Sequence, residues 1–267
     1  MYESHFGLKE RPFRETVHPA AYVAVPSRER ALRRLRYGLE PGRGPVVLFG
    51  PGGSGKTILS RRLVSLWPGP AVHVAFPMLP PAELVAHLAE EFGELGVPPP
   101  SLGAALRVLQ NQLARMVAEN RRPLLIIDEA HLIAEAATFD ALRLLLNFTT
   151  DGSPDLSLLL VGGAEVLLDL PPALADRLAA RCLIGPLSEA ETASYVLGRL
   201  AAAGAQAPVF SPEALNALHH HGSGLPRRLN RVADLALLIA YAQELPIVEA
   251  HTVLTAAREF NHDSFAA

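Results

Sequence analysis

Hydrophobic and polar positions along the chain fall into two regimes that meet at Gly185-Pro186. Before that point, short apolar runs alternate with longer helical periodicities. Residues 46–49, 71–76, 124–128 and 156–162 are apolar runs bounded by turn residues and read as buried strands, with 181–184 as a short fifth. Between them, 28–39, 56–66, 81–92, 102–120 and 141–148 read as helices, the third and fourth divided by Pro98-Pro99-Pro100. Strands that alternate with helices predict an α/β domain with a parallel, doubly wound sheet. After Gly185-Pro186 the signals are helical only. Ser188 with Glu191 forms a capping box that opens 189–203, and Ser211-Pro212 supplies an N-cap followed by proline at the first helical position. Helices over 227–244 and 248–260 complete a second, small all-α domain.

Composition narrows the function classes. The chain has 267 residues, 49% hydrophobic and 19% charged, so it can bury a sizeable core and wholesale disorder is excluded. A net charge of −3 argues against a strongly basic nucleic-acid coat or an anionic-lipid binder. The densest basic cluster is Arg33, Arg34, Arg36 and Arg43, which reads as a solvated face with duplex DNA contact as the alternative. Cys182 is the single cysteine, so no internal disulfide forms and a reducing compartment is expected. The opening residues have no apolar signal region, and the apolar stretch 235–241 is too short to span a bilayer. A cytoplasmic protein without direct membrane insertion is the expectation. The only lysines are Lys9 and Lys56, against 22 arginines, which singles out Lys56 for a task arginine does not do.

Gly50-Pro51-Gly52-Gly53-Ser54-Gly55-Lys56-Thr57 matches G-x-x-x-x-G-K-[ST] between a strand and a helix. Glycines let consecutive backbone N–H groups turn inward around phosphate oxygens, and the helix N-terminus adds partial positive charge. Lys56 would reach the β/γ-phosphates and Thr57 Oγ would hold Mg²⁺.

The run 124–129 is an apolar strand ending in Asp128 and Glu129, delivered to the carboxyl edge of the sheet where ligands of doubly wound folds sit. Asp128 is placed to bind Mg²⁺, and Glu129 to orient or deprotonate an attacking water. His131 has two readings: contact with the γ-phosphate region, or a polar residue on the turn after the strand. His219-His220-His221 reads as solvated, because consecutive helical residues point apart and no cysteine or carboxylate stands at ligand spacing. Trp67 and Cys182 read as core or near-core.

These segments resemble a family. MYESHFGLKERPF, RALRRLRYGL, LIIDEAH, ALRLLLNF, LLLVGGAEV, LADRLAARCLIGPLSEAETASYVLGRL and GLPRRLNRVADLALLIAYA are similar to the ExeA/GspA-type AAA+ ATPases and, more distantly, to transposition-regulator ATPases. The resemblance runs over nearly the whole chain. It implies a P-loop NTPase of AAA+ type with parallel strand order 5-1-4-3-2 and a helical lid, binding ATP with Mg²⁺. The implied layout is 1–40 packing on the ATPase core, 41–186 as the nucleotide-binding domain and 187–267 as the lid. The opening His5-Phe6-Gly7-Leu8 and Arg11-Pro12-Phe13 are expected near the base pocket or a neighbouring subunit. By position, Arg227 is the sensor-2 arginine, and Arg181 is the arginine finger inserted into a neighbour's site in a ring or filament, with Arg177 the second candidate. Both roles suit a planar, always-charged guanidinium. One departure matters: the family has Gly-Gln-Pro-Glu-Leu after the fourth strand, whereas this chain has Gly162-Gly163-Ala164-Glu165-Val166, so Gly163 lacks the polar sensor-1 side chain.

The expected function is ATP hydrolysis that drives or regulates assembly of a cell-envelope partner complex, in the cytoplasm or peripheral to the inner membrane through that partner. An ATP-dependent, DNA-binding regulator of a transposase is the second expectation, motivated by the arginine cluster. A non-hydrolysing nucleotide switch is the third, motivated by Gly163.

Overall fold

The computed structural model describes residues 1–93, 97 and 99–263; Pro98 of the expected proline break lies outside them, as do the last four residues of the expected lid. Helices are α1 (Tyr2–His5), α2 (Pro26–Gly38), α3 (Lys56–Val64), α4 (Pro81–Gly93), α5 (Leu102–Ala118) and α6 (Ala136–Leu145). They continue with α7 (Val166–Asp169), α8 (Pro172–Ala175), α9 (Glu189–Ala202), α10 (Pro212–Gly222), α11 (Pro226–Ala242) and α12 (Ala250–Asp263). Strands are β1 (Val46–Phe49), β2 (Ala71–Val74), β3 (Leu124–Ile127), β4 (Ser157–Gly162) and β5 (Ala180–Leu183).

All four strand pairings are parallel, in the order β2-β3-β4-β1-β5, which is the expected 5-1-4-3-2 read from the other edge. The central strands β3 and β4 are buried along their whole length, as near-continuous Leu/Ile runs require when helices cover both faces. Parallel pairing brings the carboxyl ends of β1, β3 and β4 to one edge of the sheet.

The chain packs as two compact units. One consists of residues 30–50 and 59–184 and is built around the sheet; its core includes Val47, Leu88, Leu109, Leu125, Phe139 and Leu160. The other gathers residues 1–29, 51–58 and the chain from Gly185 onward, around Tyr2, Phe13, Val196, Phe210, Leu229 and Ala236. Where the sequence reading set residues 1–40 on the ATPase core, residues 1–29 instead group with the helices after Gly185. The Tyr2 hydroxyl bonds Asp234, the Lys9 N–H donates to the Ala203 carbonyl at 2.8 Å, and Arg199 Nη2 donates to the Arg14 carbonyl at 2.9 Å. Burying Tyr2 and Phe13 against α9 and α11 supplies the apolar drive.

Local boundaries shift for identifiable reasons. Strand β2 stops at Val74 because its partner β3 ends at Ile127, leaving Phe76 unpaired and 64% exposed. Helix α6 starts five residues before the apolar run that suggested it, since buried Thr138 and Phe139 already belong to its inner face. Its expected end, Phe148, lies past the helix, where its carbonyl accepts the Asp155 N–H.

Candidate nucleotide site

The phosphate loop leaves β1 at Gly50 and enters α3 at Lys56. Gly53 sits at φ +75°, a left-handed conformation that glycine adopts without steric cost. Its carbonyl accepts the N–H of Arg227 at 3.3 Å, and a Cβ on Gly53 would stand 2.9 Å from the Cβ of Arg227. A glycine here is what allows the first turn of α11 to lie on the loop. Lys56 is 8% exposed and donates from Nζ to the Pro51 carbonyl at 3.2 Å. Ser54 is fully buried, and its Oγ has no hydrogen-bond partner among the described residues. A buried hydroxyl in that condition costs free energy until something polar reaches it, so the loop fits an oxygen-rich ligand.

Arg28 supports this loop, and sequence reasoning missed it. Nη2 donates to the Ser54 carbonyl and to the Gly185 carbonyl, each at 2.9 Å. Burial pushes the guanidinium below the usual arginine range, and the charge of Glu191 pulls the other way. Glu191 itself joins two segments: Oε1 accepts the Ser27 N–H at 2.6 Å, and Oε2 accepts the Ser188 N–H at 3.2 Å within the expected capping box. Burial raises the Glu191 pKa, but these backbone donors outweigh it and hold the carboxyl below its ordinary value. A signal for Arg28 existed: it shares the stripe of Ala31, Leu32 and Leu35, the buried face of α2.

Arg227 reaches the loop because α11 begins abruptly. Gly224, at φ +64°, donates its N–H to the His219 carbonyl, and its own carbonyl accepts the Leu187 N–H at 2.8 Å. Any Cβ on Gly224 would collide with the Leu187 carbonyl. Pro226 then takes the first helical position, where its missing N–H is harmless. Beside Ser54 and Gly55 lies a cavity of about 40 Å³ lined by Tyr22, Val23, Ile58, Leu187, Tyr195 and Pro226, among others.

In the sheet unit, β3 delivers the two acids. Asp128 is buried, donates its N–H to the Val74 carbonyl and accepts the Glu129 N–H on Oδ1 at 3.0 Å. Its Oδ2 stands 3.3 Å from His73 Nε2, an ion-pair distance without hydrogen-bond alignment. His73, a polar residue inside the apolar strand β2, was not anticipated. Glu129 adopts φ +50°, ψ +39°, uncommon for a residue other than glycine, and its half-exposed carboxylate stands 3.6 Å from His131 Nδ1. Gly163 N–H donates to the same Nδ1 at 3.3 Å.

Arg181 lies on the edge strand β5, its side chain exposed. Arg177 is tied down instead, donating from Nη1 to Asn147 Oδ1 at 3.1 Å and to the Arg143 carbonyl at 3.3 Å. Arg33, Arg34 and Arg36 are exposed on α2, and Arg43 stacks on Tyr37 and pairs with Glu40. His219 Nδ1 shares a hydrogen bond with Thr192 Oγ1 at 2.9 Å, and no group of three or more His, Cys, Asp or Glu suited to a metal ion occurs among the described residues. Trp67 is half-buried, donating from Nε1 to the Arg122 carbonyl, and burial pushes the Cys182 thiol up. No helix among the described residues is long and apolar enough to cross a membrane.

A phosphate loop, an Asp-Glu strand end and a helical segment bearing Arg227 invite comparison with known ATPases. A family model described as AAA domain matches residues 40–168. Over 250 residues the chain is 34% identical to General secretion pathway protein A of Aeromonas hydrophila, covering 91% of this chain and 45% of that protein. The chain is an AAA+ module of the ExeA/GspA type. It spans less than half the length of that relative. Among solved structures, the AAA+ module is similar in fold to Cdc6p from Pyrobaculum aerophilum, with a TM-score of 0.73, 20% identity and coverage of 93% of this chain and 70% of that one. The Aeropyrum pernix ORC1 protein in complex with DNA gives a TM-score of 0.68 at 20% identity, over 91% of this chain and 68% of that one.

Proposed function

We propose that the module binds ATP with Mg²⁺ and hydrolyses it to drive or regulate assembly of a partner complex of the cell envelope. The observation that carries this reading is the seating of Arg227 on Gly53. It sets a cationic side chain from the helical region against a phosphate-binding loop whose Ser54 hydroxyl awaits a polar partner. Loop N–H groups and Lys56 bind the phosphates, and Arg227 senses the terminal one. The apolar cavity beside Gly55 suits the edge of a base. Thr57 and Asp128 are the residues that would hold Mg²⁺, which when bound neutralises phosphate charge. Glu129 orients the attacking water and takes its proton.

In this reading 41–186 is the nucleotide-binding domain and 187–267 the lid. Arg181 of one copy completes the site of the next, and Arg177 is the second candidate. On the same reading the protein works in the cytoplasm or peripheral to the inner membrane through its partner, and similarity to a protein named for a general secretion pathway supports the link to secretion. Phosphate release from ATP tests it: turnover that vanishes in both Lys56→Ala and Glu129→Gln supports hydrolysis.

The exposed arginines of α2 favour a second reading, an ATP-dependent regulator of a transposase bound to duplex DNA. Duplex binding that requires ATP and weakens steeply with salt would select it. Gly163 favours a third, a switch that binds ATP without turnover.

A further inference from the structure

The sheet unit contains an arrangement that the roles above leave unused. Both Glu129 and Gly163 converge on one atom, Nδ1 of His131. Gly163 reaches it through its backbone N–H at 3.3 Å, and Glu129 lies 3.6 Å away through Oε2. The glycines of β4's end make room for the ring, since a Cβ on Gly162 would stand only 3.1 Å from that same nitrogen. A Cβ on Gly163 would meet only the Glu165 carboxylate, the end of an exposed side chain that can swing aside. The position that lacks a polar side chain is one where the backbone has acquired a polar partner from the neighbouring strand end.

We propose that His131 is a positioning residue for hydrolysis: it ties the end of β3 to the end of β4 and fixes the reach of the Glu129 carboxylate, the coupling that a polar side chain at Gly163 would otherwise provide. This rests on the hydrolysis reading. Because Nδ1 accepts the Gly163 N–H, a neutral ring carries its proton on Nε2. Nδ1 then offers Glu129 no proton, so the 3.6 Å approach is a contact between two acceptors rather than a bond. It is the bulk of the ring that limits the swing of the carboxylate, which stays available to water. The left-handed backbone at Glu129 is held separately by the bond from its N–H to Asp128, so His131 governs the side chain alone.

Steady-state ATP turnover of His131→Ala, His131→Asn and His131→Gln, read against wild type and Glu129→Gln, tests this. Asparagine can set an acceptor near the place of Nδ1, whereas glutamine extends past it. Loss of position predicts a fall in kcat of about ten- to a hundredfold in His131→Ala with KM for ATP unchanged. His131→Asn should recover most of it and His131→Gln little. Wild-type turnover above the Glu129→Gln background, with His131→Ala equal to wild type or with asparagine and glutamine equally poor, overturns this proposal alone. Wild-type turnover no higher than that background overturns the hydrolysis reading and this proposal with it.

Discussion

The N–H of Arg227 donates to the carbonyl of Gly53, and the two residues are close enough that a Cβ on the glycine would stand 2.9 Å from that of the arginine. Substituting Gly53→Ala should cost about 1–2 kcal/mol from the left-handed backbone alone, and it should also push Arg227 off the loop. ATP affinity is expected to fall by at least tenfold in both Gly53→Ala and Arg227→Ala, measured by titration with a fluorescent ATP analogue. Affinity unchanged in Gly53→Ala would mean that the close approach has no bearing on nucleotide.

Arg28 donates to two carbonyls from a buried position. Arg28→Ala leaves both without that partner and should lower stability by about 2–3 kcal/mol, read by urea denaturation. Phosphate-loop geometry depends on the same bonds, so ATP affinity should fall as well. A variant as stable as wild type would show that water replaces the guanidinium.

Glu191 gives a pH dependence with a definite sign. Its folded-state carboxyl lies below its ordinary value, because the Ser27 and Ser188 N–H groups outweigh burial. A depressed carboxylate contributes stability that is present above its unfolded pKa, about 4.3, and is lost as pH falls through the folded value. Wild type should therefore lose stability more steeply than Glu191→Gln on acidification below that point, followed by thermal melting. Parallel curves would contradict the assignment.

Arg177 and Arg181 should separate cleanly. Arg177→Ala removes bonds to Asn147 and the Arg143 carbonyl and should cost about 1 kcal/mol of stability. Arg181→Ala, on an exposed edge position, should change stability by less than about 0.5 kcal/mol while abolishing turnover in the assembled protein. An Arg181→Ala protein with normal turnover would move the finger elsewhere.

Much of the fold was legible because period and punctuation agree in it. The β3 run is apolar at every position and the β4 run at every position but Ser157, so both read as central, and Ser188-Glu191 and Ser211-Pro212 mark helix starts that the structure keeps. Glycines 53 and 55 and Lys56 announce the loop by type and spacing. Partners distant in sequence were not legible. Arg28 looked like one more arginine of a basic helix until its place on the buried stripe was seen beside Ser54, 26 residues away. His73 is a single polar residue in an apolar strand, and nothing local says that it meets Asp128. The N-terminal residues carry aromatic anchors but no periodicity, so their docking on α9 and α11 needed tertiary structure.

The most direct test of the account is ATP turnover per subunit as protein concentration rises, with Lys56→Ala and Glu129→Gln as controls and with Glu129→Gln mixed with Arg181→Ala. The account predicts turnover that climbs with concentration, vanishes in each variant alone and returns in part on mixing, as a site completed by a neighbouring copy requires. Flat, near-zero turnover in wild type that nonetheless binds ATP tightly would contradict it, and would make the module a nucleotide switch.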